Sequence, residues 1–333
     1  MKGEGIIGAA DTVTKAYIRK NEVFADAFNY FMYDGRQKIQ PEQLRELDST
    51  EIAILLNEKD TKDKTNKEKE ASEQKMVQKY RDLLKTATIM EDGEATYVLL
   101  GIENQTEVHY AMPVRNMLYD AMQYNQQVTE IAEKHKGKKG GKRQQKISTG
   151  EFLSGFYKNN KLIPVITLVL FFNPGEWDGP RSLFDMLDIS NPIFKKYAQD
   201  YKIHIISPKE ILESDLKKFS SSLREVIGCI KYSNDKNKLA AFIQDNPRMN
   251  IEVEAARVLE VITHTRIKRE EVDDMGNVNM CKAIQEMIQD GRDEGRVQLL
   301  VTLIQSGDIS LQRAAALMNM TPEEFQEKSK MIS

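Results

Sequence analysis

Glu103 and Gln105 stand two residues apart at the end of an apolar run, Tyr97-Val98-Leu99-Leu100-Gly101-Ile102. The run has the length and composition of a buried strand. Side chains two apart on a strand share a face, so this carboxylate and this amide converge on one spot. Upstream, Asp82 lies at the start of a second strand-like run, Tyr80 to Met90, and the polar loop Glu91-Asp92-Gly93-Glu94 separates the two. Two such runs around a short Gly-containing loop read as a β-hairpin. In an antiparallel pair the start of the first strand lies beside the end of the second, so the hairpin predicts Asp82 next to Glu103 and Gln105. Beyond a turn closed by Pro113, a helical pattern brings in Arg115 and Tyr119, four apart and therefore on one face.

Two carboxylates this close repel, which raises the pKa of one of them unless a cation lies between. Hard oxygen ligands suit Mg²⁺ or Mn²⁺. Such an ion at Asp82 and Glu103 would polarise a phosphodiester and lower the pKa of a bound water. Gln105 would orient that water, and Arg115 would stabilise charge on the phosphate. The same residues also allow a plainer reading. Glu103 and Gln105 are then polar residues where a strand leaves the core, and Arg115 and Tyr119 serve packing and surface hydrogen bonding.

The rest of the chain has to position these residues. Its 333 residues are 40% hydrophobic and 30% charged, enough for a sizeable core and two domains. The formal net charge of −3 means that nucleic-acid binding must come from a local patch. Two distant cysteines, Cys229 and Cys281, have no metal-ligand spacing and point to a reducing cytoplasm. The N-terminus has no long apolar stretch, and the apolar run around Leu168 to Phe172 is too short to span a bilayer. A soluble intracellular protein with no membrane partner is expected.

Residues 13–33 read as one helix with Phe24, Phe28 and Phe31 in its apolar stripe, ended by Gly35. Asp26 points to another face of this helix and reads as a solvated carboxylate. Residues 40–48 read as a strand or turn leading into Glu51 to Leu56. Residues 57–75 are densely charged with no large apolar side chain, as in a solvated loop or exposed helix. Residues 114–134 form the helix crossing to a buried strand at 162–172, beside the strand carrying Glu103. Residues 134–146 hold seven Lys or Arg and no acid, which suits either phosphate contacts or a solvated loop. Trp177 reads as a packing residue and His204 as a core or edge histidine in a last strand at 201–206. From about 209 onward the pattern is helical. The final segment resembles a small helix-turn-helix with Thr321 capping its acidic second helix, which suits packing or oligomerisation better than reading DNA.

The chain also resembles a known family. Tyr80-Arg81-Asp82 comes first, then Gly101-Ile102-Glu103-Asn104-Gln105-Thr106 and His109 to Arg115, followed by Tyr119-Asp120 and Tyr124. Glu151 to Gly155, Pro164 to Thr167 and Glu176 to Pro180 continue the series. In this order the motifs resemble the Rpn-type recombination-promoting nuclease / putative transposase family of the PD-(D/E)xK nuclease superfamily, over roughly residues 20–300. The resemblance implies Asp82 and Glu103 as metal ligands, with the Asn104 backbone carbonyl completing the site. It implies Asp26 as a further acidic residue. Gln105 stands where many relatives carry Lys. A neutral amide orients water but cannot stabilise an anion by charge, a task left to Arg115.

The expectation is therefore an α/β fold, a restriction-endonuclease-like mixed sheet flanked by helices over 1–208, with a helical C-terminal region over 209–333. The expected activity is that of a Mg²⁺- or Mn²⁺-dependent DNA endonuclease linked to recombination or mobile elements. The candidate catalytic residues are Asp82, Glu103, Gln105, Asp26 and Arg115, and the candidate metal ligands Asp82, Glu103 and Asn104. The alternative is a catalytically inactive nucleic-acid-binding or protein-interaction module on the same fold. A third reading is a structural protein that assembles as a homo-oligomer through its C-terminal helices.

Overall fold

A computed structural model describes residues 4–47, 82–91, 94–137, 147–244, 246, 248–263 and 272–332. The segment 51–56, the charged stretch 57–75, Tyr80, Arg81, the hairpin tip at 92–93 and residues 138–146 of the basic stretch lie outside the described residues.

The fold is α/β, with a five-stranded mixed sheet flanked by helices. Its strands are β1 (Arg45–Glu46), β2 (Leu83–Glu91), β3 (Glu94–Gln105), β4 (Val165–Phe171) and β5 (His204–Ile206), paired in that order. β2 and β3 form the expected antiparallel hairpin, with Leu83 opposite Ile102 and Glu91 opposite Glu94. β4 then runs parallel to β3, and β5 parallel to β4. A parallel neighbour needs a crossover, supplied by the helix α3 (Met112–Gly137).

Strand alternation divides the core into two layers. Val98, Leu100 and Ile102 of β3, with Leu168 and Leu170 of β4, face the helices α1 (Glu4–Ile18) and α2 (Asn21–Tyr33). Leu99, Val165, Val169 and Phe171 face the opposite side, toward α3. Met112 packs there with Trp177, whose ring meets Phe171 edge-on at 5.2 Å. Asp120 fixes α3 to the sheet, accepting from Thr167 Oγ1 at 2.7 Å and from Tyr201 Oη at 2.5 Å.

Three expectations are corrected. The helix read over 13–33 is two helices, because Lys20 turns to extended backbone at φ −60° and ψ 131°. The break frees the Arg19 carbonyl, which accepts from the buried ammonium of Lys85 at 2.5 Å; Asn21 Oδ1 accepts from the same group at 2.5 Å. Burial lowers the Lys85 pKa, so the break supplies polar partners to a cation that could not otherwise remain inside.

The core also does not stop at 208. The helices α5 (Leu223–Tyr232) and α7 (Val253–Thr263) contribute to the same cluster as Tyr17, Phe24 and Leu100. Nor is the chain purely helical after 209. β6 (Asn250–Glu252) and β7 (Asn277–Asn279) pair antiparallel and bury Ile251 and Val278. The remaining helices are α4 (Thr149–Ser154), after the crossover helix, and α6 (Lys236–Gln244), after α5.

A separate small core gathers Val297 and Leu300 of α8 (Met280–Gln305), Ala314 of α9 (Leu311–Leu317) and Phe325 of α10 (Pro322–Ile332). Thr321 caps α10 as expected: its Oγ1 accepts from Glu324 N at 3.2 Å, and Glu324 Oε2 accepts from Thr321 N at 2.8 Å. Among the described residues, no helix is long and apolar enough to cross a membrane.

Candidate functional site

The hairpin register continued by one residue sets Asp82 opposite Glu103. Asp82 Oδ2 accepts from the backbone N–H of Asn104 at 2.9 Å, so the acid is held at the end of β3. Its Oδ1 is 3.0 Å from Lys15 Nζ on α1, and Lys15 also pairs with Asp11, one turn earlier, at 2.8 Å. The Asn104 side chain points to the same helix, donating to Thr14 Oγ1 at 2.6 Å and to Asp11 Oδ1 at 3.2 Å. Asn104 is thus engaged through its N–H and its carboxamide. Burial works against the Lys15 charge, but Asp11 and Asp82 outweigh it, and the Lys15 pKa is raised.

Glu103 occupies the other face of β3 and is 0% exposed. Its Oε2 is 3.1 Å from Arg115 Nη2. Arg115 Nε donates to Tyr119 Oη at 3.1 Å, and the guanidinium lies 5.6 Å from the Tyr119 ring centre. The two residues are one helical turn apart, as their spacing predicts. Burial disfavours the Arg115 charge, yet Glu103 and Tyr119 together raise its pKa. Burial first, and Glu103 second, raise the pKa of the Tyr119 phenol. Asp82 adds a smaller upward push to the pKa of both Arg115 and Tyr119. Gln105 is half-buried on the Glu103 face, as strand alternation requires.

Asp82, Glu103, Asn104 and Arg115 therefore come together at one end of the sheet, with Gln105 on the same strand. Asp26 has a different environment. It is 1% exposed, not solvated, and accepts four hydrogen bonds from the backbone and hydroxyls of Ser220 and Ser221, at 2.6 to 3.0 Å. These donors lie just before α5, so Asp26 anchors the start of that helix.

Sequence reasoning missed Asp11, Thr14 and Lys15. Their only local signal is an Asp–Lys pair at i, i+4, common on exposed helices. It also gave no role to His109, whose pKa is lowered first by burial and then by Arg115. A histidine depressed in the fold contributes stability that is present above the unfolded-state pKa of about 6.5 and is lost as pH falls through the lower folded-state value. His109→Gln is expected to flatten part of that acid-side loss in urea melts between pH 7 and 5. His204, also lowered by burial, accounts for a share that the variant retains.

Carboxylates and amide oxygens are the donor types a hard divalent ion takes, but Glu103 lies on the Arg115 side of β3 while Asp82 and Asn104 pair with α1. Both acids carry a cationic partner here, so an ion would compete with Lys15 and Arg115. Among the described residues, no group of three or more His, Cys, Asp or Glu side chains is gathered around one point.

No family model, curated protein or solved structure matches this chain.

Proposed function

We propose that the chain is a metal-dependent DNA endonuclease with a restriction-endonuclease-like fold. The observation that carries this reading is the meeting of Asp82 with the end of β3, where Glu103 is wholly buried against Arg115. An acid at the end of each hairpin strand, with a helix crossing to a parallel strand, also fits the resemblance in the sequence. Asp82, Glu103 and Asn104 would hold the metal. A bound Mg²⁺ or Mn²⁺ would supply Lewis-acid polarisation of the phosphodiester and a water of lowered pKa. Gln105 would orient that water by hydrogen bonding. Arg115 would turn part of its charge toward the phosphate, and Tyr119 fixes its guanidinium plane for that task. A link to recombination or mobile elements, a cytoplasmic setting and assembly through the C-terminal helices belong to the same reading.

One observation favours the second reading, an inactive nucleic-acid-binding or protein-interaction module. Each acid is already neutralised, Asp82 by Lys15 and Glu103 by Arg115. A plasmid-nicking assay separates the two. The endonuclease converts supercoiled DNA to open circles with Mg²⁺ or Mn²⁺, and EDTA stops it. DNA retention without metal-dependent cleavage would support the module.

A further inference from the structure

We infer that Asn116 is a positioning residue for Glu103: its buried carboxamide holds the Glu103 carboxylate from the interior through one ordered water, while Arg115 holds it from the solvent side. The purpose of that hold rests on the endonuclease reading, but the juxtaposition stands on the packing of α3 alone.

The contacts of α3 fix its register on the sheet. Tyr124 Oη accepts from the Val165 N–H at 3.1 Å, and Asp120 Oδ1 accepts from Thr167 Oγ1 at 2.7 Å. Four helix residues rise about 6 Å and two strand residues about 6.6 Å, so each step of four back along α3 matches a step of two forward along β4. Asn116 therefore stands over Val169, and Met112 over Phe171; Met112 does pack with Val169 and Phe171. Across the sheet at the Asn116 level, Val169 is flanked by Glu103 on β3 and Ile205 on β5. Glu103 is the polar side chain of these three. Arg115, the residue before Asn116, already pairs with it.

Asn116 itself gives the independent sign. It is fully buried, and neither its Oδ1 nor its Nδ2 has a hydrogen-bond partner among the described residues. Asp120, one turn further along α3, is taken up by Thr167 and Tyr201. A buried amide without a partner is costly and rare, so an Asn on the sheet-facing side of a helix has a polar use. A carboxamide and a carboxylate on one buried face supply the polar partners that an interior water takes.

The hold matters when Arg115 moves. Its side chain is partly exposed, whereas that of Glu103 is wholly buried. Turning the guanidinium to a phosphate takes charge away from a buried carboxylate, which keeps its position only if another donor remains. Asn116 is that donor, and being neutral it competes with neither a metal nor the phosphate.

The test is a double-mutant cycle on the full chain. Asn116→Leu removes the amide and keeps its approximate shape. It should raise the equilibrium constant for urea unfolding about tenfold in the wild-type background but only about twofold beside Glu103→Gln, because hydrogen bonding to a charged group is the stronger kind. In nicking assays with Mn²⁺ on folded protein, Asn116→Leu should lower kcat about tenfold and leave the KM for plasmid unchanged. Asn116→Ser, which keeps a donor, should recover part of that kcat. Asn116→Ala replaces the leucine variant if the latter does not fold. Equal effects on unfolding in both backgrounds, a variant as stable as the wild type, or a wild-type kcat in folded Asn116→Leu overturns the inference. Coupled unfolding with no metal-dependent cleavage by any variant, the wild type included, would uphold the link between Asn116 and Glu103 and remove the endonuclease reading instead.

Discussion

Glu103→Gln is expected to abolish metal-dependent nicking and to lower stability at the same time. The substitution keeps the shape of a fully buried side chain and removes its charge. On the endonuclease reading Glu103 would hold the metal, a role worth several kcal/mol of transition-state charge stabilisation, so cleavage should fall by roughly 10²-fold or more. Arg115, meanwhile, loses its carboxylate. Breaking a buried pair from one side costs about 3 to 5 kcal/mol, and because the Arg115 side chain is 28% exposed the loss should fall near the lower end. Urea melts fix the stability change, and nicking is then measured where the variant is fully folded. The double variant Glu103→Gln with Arg115→Gln removes the stranded cation. It should regain part of the stability and none of the cleavage. Wild-type nicking rates in folded Glu103→Gln would take Glu103 out of the chemistry.

Asp26→Ala should produce the larger loss of stability and the smaller loss of function. Asp26 accepts hydrogen bonds from Ser220 N and Oγ and from Ser221 N and Oγ. The carbonyls of these two serines accept from Arg248 Nη2 at 2.7 and 2.8 Å. The next residue, Ser222, hydrogen-bonds the buried phenol of Tyr17 at 2.8 Å and donates to Glu252 at 2.7 Å. Removing Asp26 strands two backbone N–H groups at the junction of α1, α2, α5 and β6. Hydrogen bonds to charged groups contribute about 1.5 to 3 kcal/mol each, and these share one anchor, so a combined loss of about 4 kcal/mol is expected. Asp26→Asn keeps an acceptor and should fall between. Cleavage per folded molecule should be unchanged in both. Wild-type stability in Asp26→Ala, or lost cleavage in a fully folded Asp26→Asn, would return Asp26 to the catalytic group.

The contrast between Glu103 and Asp26 shows what local pattern carries. Glu103 ends an apolar run whose alternation fixes its face, and the adjacent hairpin fixes the strand register that sets Asp82 across from the end of β3. Asp26 lies in a helix whose periodicity indicates only that its face differs from that of Phe24 and Phe28. Its partners are 194 and 195 residues away, and no local period reports on them. The same holds for Lys15. Its pairing with Asp11 is a helix-surface pattern, but its pairing with Asp82 depends on how α1 crosses the end of β3.

Sequence by itself determined the hairpin, the face of Glu103 and Gln105, the crossover helix with Arg115 and Tyr119, and the parallel strand after it. These follow from periods of 2 and 3.6 and from turn chemistry, all properties of contiguous residues. Tertiary structure alone decided that the helix at 13–33 breaks where Lys85 needs a carbonyl. It alone decided that one core joins residues on both sides of 208, and that each acid of the candidate site meets a cation. Those outcomes depend on burial and charge between segments far apart in the chain, where a buried ion is stable only if the fold supplies its partner.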